Sequence, residues 1–155
     1  DASVRAAVSA RVGAVARLDL LPSAGGVPVT HRGVAASVTI LTGHRRIGEP
    51  EVDWRSLARV GGTIVVLMGV SRRADIAGKL VAGGLGWETP VAAIQSATTR
   101  DELVWRGTLA DLGDASIEPP ATIVIGDVAA IDARTPPAGI DFAQPSKGFA
   151  RPSMS

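Results

Sequence analysis

The sequence predicts an α/β domain in which a mixed sheet is flanked by helices. Residues 63–68 form a continuous β-branched and apolar run, which is typical of a strand buried on both faces. Residues 122–128 form a second β-branched run, and the intervening residues 72–82 have a helical pattern that ends at two glycines. A chain of 155 residues, of which 46% are hydrophobic and 20% are charged, is long enough for one such domain.

The first part of the chain is predicted as a helix, a turn and a strand. Residues 1–21 are rich in alanine and valine, and we interpret them as helical. Prolines and glycines in residues 22–28 end this segment and lead into a turn at residues 29–33. The β-branched residues 37–42 then predict the first strand.

A short helix is predicted before the buried strand. Asp53 is a suitable N-cap for a helix over residues 54–60, because its carboxylate can accept a bond from a free backbone N–H group. Gly61 and Gly62 end that helix and lead into the strand at residues 63–68.

The second half of the chain continues the alternation. Ser71 is predicted to cap the helix over residues 72–82. Two further strands are predicted at residues 90–94 and 103–109, and the last at residues 122–128. Beyond Arg134 the chain is rich in proline and glycine, and we interpret it as a poorly ordered tail.

Composition excludes several functional classes. Sixteen basic residues against fifteen acidic ones give a net charge of +1, so no electrostatic argument favours nucleic acid or an acidic membrane. No apolar run reaches the roughly 20 residues that a membrane span needs. Cysteine is absent, which excludes disulfides, thiolate metal sites and a cysteine nucleophile. A cytoplasmic location is the default expectation.

Two histidines lie at the two ends of the first predicted strand. Neither His31 nor His44 is near a second histidine or a carboxylate at metal-ligand spacing, so no metal site is predicted. Each is either a residue of a ligand pocket or a capping histidine at the surface, and residue type alone leaves both alternatives open.

Two glycine turns are further candidates for a binding site. Residues 68–69 and 126–127 each lie at the end of a predicted buried strand, and ligands commonly bind at the carboxyl edge of an α/β sheet. The alternative is that each glycine only reverses the chain with a positive φ. The sequence contains no nucleophile elbow, phosphate loop or dinucleotide fingerprint.

Several separated motifs, taken in order, resemble the uroporphyrinogen-III C-methyltransferases of the tetrapyrrole methylase superfamily. The similarity covers residues 26–131. The motifs are Gly-Val-Pro-Val-Thr-His-Arg-Gly (26–33), Leu-Thr-Gly-His (41–44), Gly-Gly-Thr-Ile-Val-Val-Leu-Met-Gly-Val (61–70), Thr-Pro-Val-Ala (89–92), Arg-Gly-Thr-Leu (106–109) and Pro-Pro-Ala-Thr-Ile-Val-Ile-Gly-Asp-Val (119–128).

The resemblance implies methyl transfer from S-adenosylmethionine to uroporphyrinogen III. The product would be precorrin-2, on the way to siroheme and cobalamin, with S-adenosylhomocysteine as the second product. The resemblance also implies a homodimer of subunits with two α/β domains and the cofactor in the cleft between them. The chain resembles the C-terminal domain of such a subunit.

Four positions match residues on the cofactor side of these enzymes. Met68 matches a methionine that contacts the cofactor, and its polarizable side chain suits that role. A methionine of the core at the strand end is the structural alternative. Ala97 matches a small residue whose backbone groups bind the cofactor, and Pro120 and Ala121 lie in the segment that approaches adenine.

Three positions match a Thr-His-Arg motif on the substrate side. These are Thr30, His31 and Arg32. A guanidinium suits one of the carboxylates of uroporphyrinogen, because it can bind a carboxylate through two parallel hydrogen bonds. For His31, a purely structural role in the loop is an equal alternative.

The sequence also departs from the family pattern. It contains no Gly-x-Gly-x-Gly-Asp cofactor loop, and the acid and base residues proposed for catalysis lie in that absent half, so no catalytic residue is assigned. We therefore divide the chain into a poorly matching segment (1–25), the C-terminal methylase domain (26–133) and a Pro/Gly-rich tail (134–155).

Three explanations remain for this departure: a shortened chain, a fragment of a longer fused chain, or a degenerate paralogue. We expect the chain alone to show no methyltransferase turnover. The functional alternatives are a methylase of a later precorrin and a non-catalytic dimerisation or ligand-binding module.

Overall fold

A computed structural model describes Pro22, residues 25–44, Gly48 and residues 51–134. The helix predicted over residues 1–21 and the tail predicted beyond Arg134 lie outside the described residues.

Five strands form one mixed sheet, as the sequence predicts. They are β1 (Val38–Thr42), β2 (Thr63–Leu67), β3 (Pro90–Gln95), β4 (Leu103–Thr108) and β5 (Ala121–Ile125). Their order across the sheet is β1-β2-β5-β3-β4. The β1–β2 pair is parallel and the other three pairs are antiparallel, so β1, β2 and β3 all end at the same edge of the sheet, where β5 begins.

Three helices lie wholly within the described residues and accompany the sheet: α1 (Trp54–Val60), α2 (Arg73–Gly83) and α3 (Leu109–Leu112). Two single 3₁₀ turns, Val70–Arg72 and Asp127–Ala130, follow β2 and β5. None of the helices in the described part of the chain is long and apolar enough to cross a membrane.

The strands alternate between two apolar clusters on opposite faces of the sheet. On β2, Ile64 and Val66 pack against the helices, whereas Val65 packs on the other face. That second face is covered by residues of the 25–36 segment and of the second 3₁₀ turn. The buried run in β2 therefore has apolar neighbours on both faces, as predicted.

The structure confirms Asp53 as the N-cap of α1. The Ser56 N–H group donates to Asp53 Oδ1 at 2.9 Å, and the Ser56 hydroxyl donates to Oδ2 at 2.6 Å. These bonds, the hydroxyl bond first, hold the pKa of Asp53 below its ordinary value.

The prediction for Ser71 is wrong. The residue lies inside the 3₁₀ turn that precedes α2, and neither that turn nor α2 has a side-chain N-cap bond. The chain enters α2 through this tighter turn, which supplies backbone hydrogen bonds where a cap would otherwise be needed. The predicted glycine stop is correct: α2 ends at Gly83, and Gly84 has a φ of 121°.

The strand predicted over residues 103–109 ends one residue early, and a helix that the sequence analysis missed begins at Leu109. The cause is a capping box. Thr108 Oγ1 donates to Asp111 Oδ2 at 2.7 Å, and the Thr108 N–H group donates to the same oxygen at 2.9 Å. The hydroxyl bond is the main reason that the pKa of Asp111 lies below its ordinary value.

Two other strands are shorter than predicted because the backbone turns sharply at their ends. Strand β5 ends at Ile125, since Gly126 has a φ of 127° and the chain continues as a 3₁₀ turn. Strand β2 ends at Leu67, since Met68 has a φ of 52°. Neither residue can continue an extended strand with such a dihedral angle.

Candidate functional site

A cavity of about 590 Å³ opens at the edge of the sheet where β1, β2 and β3 end and β5 begins. Its volume lies in the range of small-molecule sites, and its lining is mostly apolar with a few hydroxyl groups. The lining residues are His44, Leu67, Met68, Val70, Ser71, Ile94, Ser96, Ala97, Thr99, Pro119, Pro120, Ala121 and Thr122.

Left-handed backbone is concentrated at this cavity. Met68, Ser96 and Thr98 have φ values of 52°, 48° and 69°, and they are the non-glycine residues with positive φ in the described part of the chain. Met68 and Ser96 line the cavity, and Thr98 lies between two residues that line it. Each such residue costs on the order of 1–3 kcal/mol and persists where the surroundings hold it, which is common at ligand sites.

Met68 is a surface residue at the mouth of this cavity. It follows the last residue of β2, and it is 62% exposed, so it does not belong to the core. The alternative interpretation of Met68 as a core methionine at the strand end therefore does not describe this fold.

One wall of the cavity is fixed by hydrogen bonds between the end of β3 and the segment before β5. The Ser96 N–H group donates to the Pro120 carbonyl at 2.9 Å. The Glu118 N–H group donates to Gln95 Oε1 at 2.7 Å. These bonds place Pro120 and Ala121 beside the 96–99 turn, so all four residues predicted on the cofactor side line one cavity.

His44 lies in the same cavity, and it is the one ionisable side chain among the described residues that line it. Its backbone is held by Thr42, whose Oγ1 donates to the His44 carbonyl at 3.0 Å. The sequence leaves two roles open for His44, a pocket residue or a capping histidine at the surface, and the structure places it in the cavity that the four predicted cofactor residues line.

Further lining residues were not predicted at all. Ser71, Thr99 and Thr122 add hydroxyl groups to the cavity. The available signal was their position, because each lies within a few residues of a strand end at this edge. Residue type alone does not distinguish them from the other serine and threonine residues of the chain.

The predicted substrate residues lie in a separate, smaller cavity of about 360 Å³. Thr30, His31 and Arg32 are all exposed and lie in a tight turn that backbone bonds between His31 and Ala35 close at 3.1 and 3.0 Å. Gly33 allows this turn with a φ of 80°. The structure brings the three residues together but does not bring them into the first cavity.

Only one of the two glycine turns lies at the first cavity. Residues 68–69 do, whereas residues 126–127 lie at the opposite edge because β5 runs antiparallel to β2. There the Gly126 N–H group donates to the Pro90 carbonyl at 2.9 Å, and a Cβ on Gly126 would lie 3.0 Å from the Gly62 carbonyl oxygen. Gly126 therefore has a structural role in close backbone packing.

The donor set favours an organic ligand with an apolar ring and several polar atoms. The cavity is lined by apolar side chains together with hydroxyl groups, backbone groups and one imidazole. Among the described residues, no group of three histidine or carboxylate side chains is arranged to hold a metal ion.

Comparison with known sequences shows that this chain is similar to methyltransferases. The family profile described as Tetrapyrrole (Corrin/Porphyrin) Methylases matches residues 10–113. A uroporphyrinogen-III C-methyltransferase from Pseudomonas aeruginosa is 41% identical over 110 residues, which cover 68% of this chain and 44% of that protein. An S-adenosyl-L-methionine-dependent uroporphyrinogen III methyltransferase from Methanosarcina barkeri is 41% identical over 114 residues, covering 70% and 45%. The chain thus spans less than half the length of these relatives.

The chain is also similar to solved structures of methyltransferases. A uroporphyrin-III C-methyl transferase from Thermus thermophilus, complexed with S-adenyl homocysteine, has 33% sequence identity and a TM-score of 0.64. The match covers 74% of this chain and 53% of that one. A cobalt precorrin-4 methyltransferase has the same TM-score at 24% identity, covering 71% and 48%, and at that identity it shows a shared fold alone.

Proposed function

The chain belongs to the tetrapyrrole methylase family, and on that premise we propose that it supplies the C-terminal half of an S-adenosylmethionine-dependent uroporphyrinogen-III C-methyltransferase. One observation carries the proposal: the four positions that match cofactor residues of the family line one cavity, at a sheet edge with left-handed backbone. The relatives named above support the substrate.

The cavity suits the adenosyl part of the cofactor. Its volume of about 590 Å³ accommodates a nucleoside, and Pro120 and Ala121 offer apolar contacts to an adenine ring. The exposed Met68 side chain packs on the ligand from the β2 side. Ala97 has no side chain beyond Cβ, so a ligand can approach its backbone groups.

The substrate is held through its carboxylates in this proposal. Uroporphyrinogen III is an acidic tetrapyrrole, and Arg32 is an exposed guanidinium at the second cavity. A guanidinium binds a carboxylate through two parallel hydrogen bonds. Thr30 and His31 lie in the same turn and add further polar contacts.

The family resemblance implies that the acid and base residues of the reaction lie outside the matched motifs of this chain. When bound, the cofactor supplies an electrophilic methyl group for a nucleophilic ring carbon of the tetrapyrrole. Methyl transfer then requires the carbon, the methyl group and the sulfur in line within a cleft that excludes water. In this proposal the chain supplies one side of such a cleft, so we expect the isolated chain to bind ligands without turning them over.

Calorimetric titration of the 155-residue chain with S-adenosylhomocysteine tests the cofactor part of the proposal. We expect micromolar binding with one site, as for a cavity that is already formed. Absence of binding at millimolar ligand would contradict it. Adenosine serves as a second ligand, since a site for the adenosyl part predicts that adenosine competes.

A turnover assay tests the assignment of the reaction. The chain is incubated with S-adenosylmethionine and uroporphyrinogen III, alone and together with a methylase N-terminal half produced separately. We expect no methylated product from the chain alone. Methylation of a later precorrin but not of uroporphyrinogen III would transfer the proposal to that substrate, and ligand binding without any complementation would indicate a non-catalytic module.

The proposal includes a homodimer, as the family resemblance implies, and the default cytoplasmic location. Sedimentation velocity of the purified chain over a concentration series measures the association. A monomer at all concentrations would contradict a dimer built from this half alone.

A further inference from the structure

The turn that carries Ala97 has an unusual backbone. Ser96 and Thr98, on either side of Ala97, have φ values of 48° and 69°. Side-chain-bearing residues occupy this region at a cost, so the free turn tends to relax unless other contacts hold it. A ligand that uses the Ala97 backbone needs this shape to be present before it binds.

Several bonds hold the turn. The Thr99 N–H group and the Thr99 hydroxyl donate to the Ser96 carbonyl at 3.1 and 2.7 Å, which closes the turn across Ala97 and Thr98. The Ser96 N–H group is bonded to the Pro120 carbonyl. The backbone N–H group of the left-handed Thr98 has a further partner, which comes from outside the turn.

That contact is the side chain of Glu102. The Thr98 N–H group donates to Glu102 Oε2 at 2.8 Å. The Glu102 side chain is 19% exposed, and the residue lies immediately before β4. Its second oxygen, Oε1, lies 3.4 Å from Arg134 Nη1. Both oxygens of the carboxylate are therefore engaged, and the rotamer that reaches Thr98 is fixed from two sides.

We propose that Glu102 is a positioning residue for the cofactor site: it holds Thr98 in the left-handed conformation that presents the Ala97 backbone to the ligand. This inference rests on the proposed function, because the ligand is the adenosyl group assigned above. Glu102 does not line the cavity itself and acts only through the turn.

The acceptor oxygen, and not the negative charge, is the required feature. A glutamine at this position keeps an oxygen that can accept the Thr98 N–H bond, and it lacks only the charge. The pair with Arg134 is partly exposed, with 48% of the Arg134 side chain accessible, so its loss has a small effect. Glu102→Gln should therefore retain function, whereas Glu102→Ala should not.

The test measures two quantities in the full 155-residue chain. The first is the hydrogen-exchange rate of the Thr98 amide by NMR without ligand, which reports on the turn alone. The second is the affinity for S-adenosylhomocysteine by calorimetry. For Glu102→Ala we expect faster exchange of Thr98 and binding weakened by up to about tenfold, since loss of one hydrogen bond is of this size. For Glu102→Gln we expect binding within about twofold of the original chain.

A second substitution tests the backbone argument. Glycine adopts a positive φ without the cost that a side chain imposes. Thr98→Gly in the Glu102→Ala background should therefore recover part of the lost affinity. Glu88→Ala is the matched control, because it removes an exposed glutamate at the opposite edge of the sheet, where β3 begins. It should change neither quantity.

Each outcome has a definite meaning. Unchanged affinity of Glu102→Ala, with the original chain binding normally, overturns the role of Glu102 and leaves the proposed cofactor intact. Loss of affinity in Glu102→Gln equal to that in Glu102→Ala overturns the acceptor role in favour of charge. No binding by the original chain overturns the proposed cofactor, and the positioning role with it.

Discussion

Gly43 and Gly69 are in direct backbone contact: a Cβ atom on Gly43 would lie 2.6 Å from the Cα atom of Gly69. Gly43 follows β1, and Gly69 lies two residues after the end of β2. The Gly43 N–H group also donates to the Leu67 carbonyl at 2.7 Å. This contact joins the two strand ends that carry His44 and Met68, so it fixes one side of the cavity.

Gly43→Ala should disturb both stability and binding. The added methyl group must displace the Gly69 backbone, and overpacking of this kind costs about 1–3 kcal/mol. We expect a lower free energy of unfolding in urea and weaker binding of S-adenosylhomocysteine. Gly78→Ala is the control, because Gly78 lies inside α2 with open space around it. That change should stabilise the chain by about 0.5–1 kcal/mol, and equal effects of the two substitutions would contradict the contact.

Met68→Ala should weaken ligand binding without destabilising the fold. The side chain is 62% exposed, and exposed substitutions usually change stability by less than about 0.5 kcal/mol. We expect S-adenosylhomocysteine to bind about five- to tenfold more weakly by calorimetry, since ligand contact is the proposed role of this side chain. Val60→Ala removes an equally exposed apolar side chain from the end of α1 and should leave binding unchanged. A large loss of stability in Met68→Ala would show that the residue belongs to the core.

Arg32→Ala should lower the affinity for the tetrapyrrole and leave the affinity for the cofactor unchanged. Arg32 lines the second cavity and not the first, so its loss should weaken binding of a tetrapyrrole carboxylate and spare the cofactor. We expect about a tenfold loss in the affinity for uroporphyrin III, measured by fluorescence quenching, with unchanged affinity for S-adenosylhomocysteine. Arg59→Ala controls for the loss of one exposed positive charge. Equal losses for both ligands would contradict the assigned role.

Acid should destabilise the chain partly through the capping box. Because the pKa of Asp111 is lowered in the folded chain, its contribution is present above the ordinary aspartate pKa of about 3.9 and is lost as the pH falls through the lowered value. Between about pH 6 and pH 2, the thermal unfolding midpoint of Asp111→Asn should therefore fall less steeply than that of the original chain. Asp53 and Asp132, whose pKa values are also lowered, keep part of the slope in that variant. An identical slope in both chains would show that the Thr108 bonds add nothing.

The sequence predicts the individual helices and strands well. Asp53 and the glycine pair at residues 61–62 mark the limits of α1 correctly, because capping and positive φ are local properties. The start of α3 at Leu109 was not predicted, because Leu109 continues the strand pattern that begins at Leu103. The Thr108-x-x-Asp111 capping box was the signal that distinguishes the two.

The position of the site depends on topology, which no local pattern contains. Residues 68–69 and 126–127 have the same sequence signature, a glycine turn after an apolar strand. They lie at opposite edges because β5 is inserted antiparallel between β2 and β3. The contact between Glu102 and Thr98 was also missed, since only the fold shows that this carboxylate turns back toward the loop.

Because β5 runs between β2 and β3, substitutions at the two edges of the sheet should have different effects. Loops at the edge of Met68 and Ala97 determine what the cavity admits, whereas the turns at Gly62 and Gly126 hold backbones together on the opposite side. Strands of one direction, β2 and β3, lie two inter-strand spacings apart, about 10 Å, with the start of β5 as the floor between them. Lengthening the loop before Ala121 would therefore change the shape of the cavity floor. Such a change could alter which ligand binds, while the close backbone packing at Gly62 and Gly126 maintains the fold.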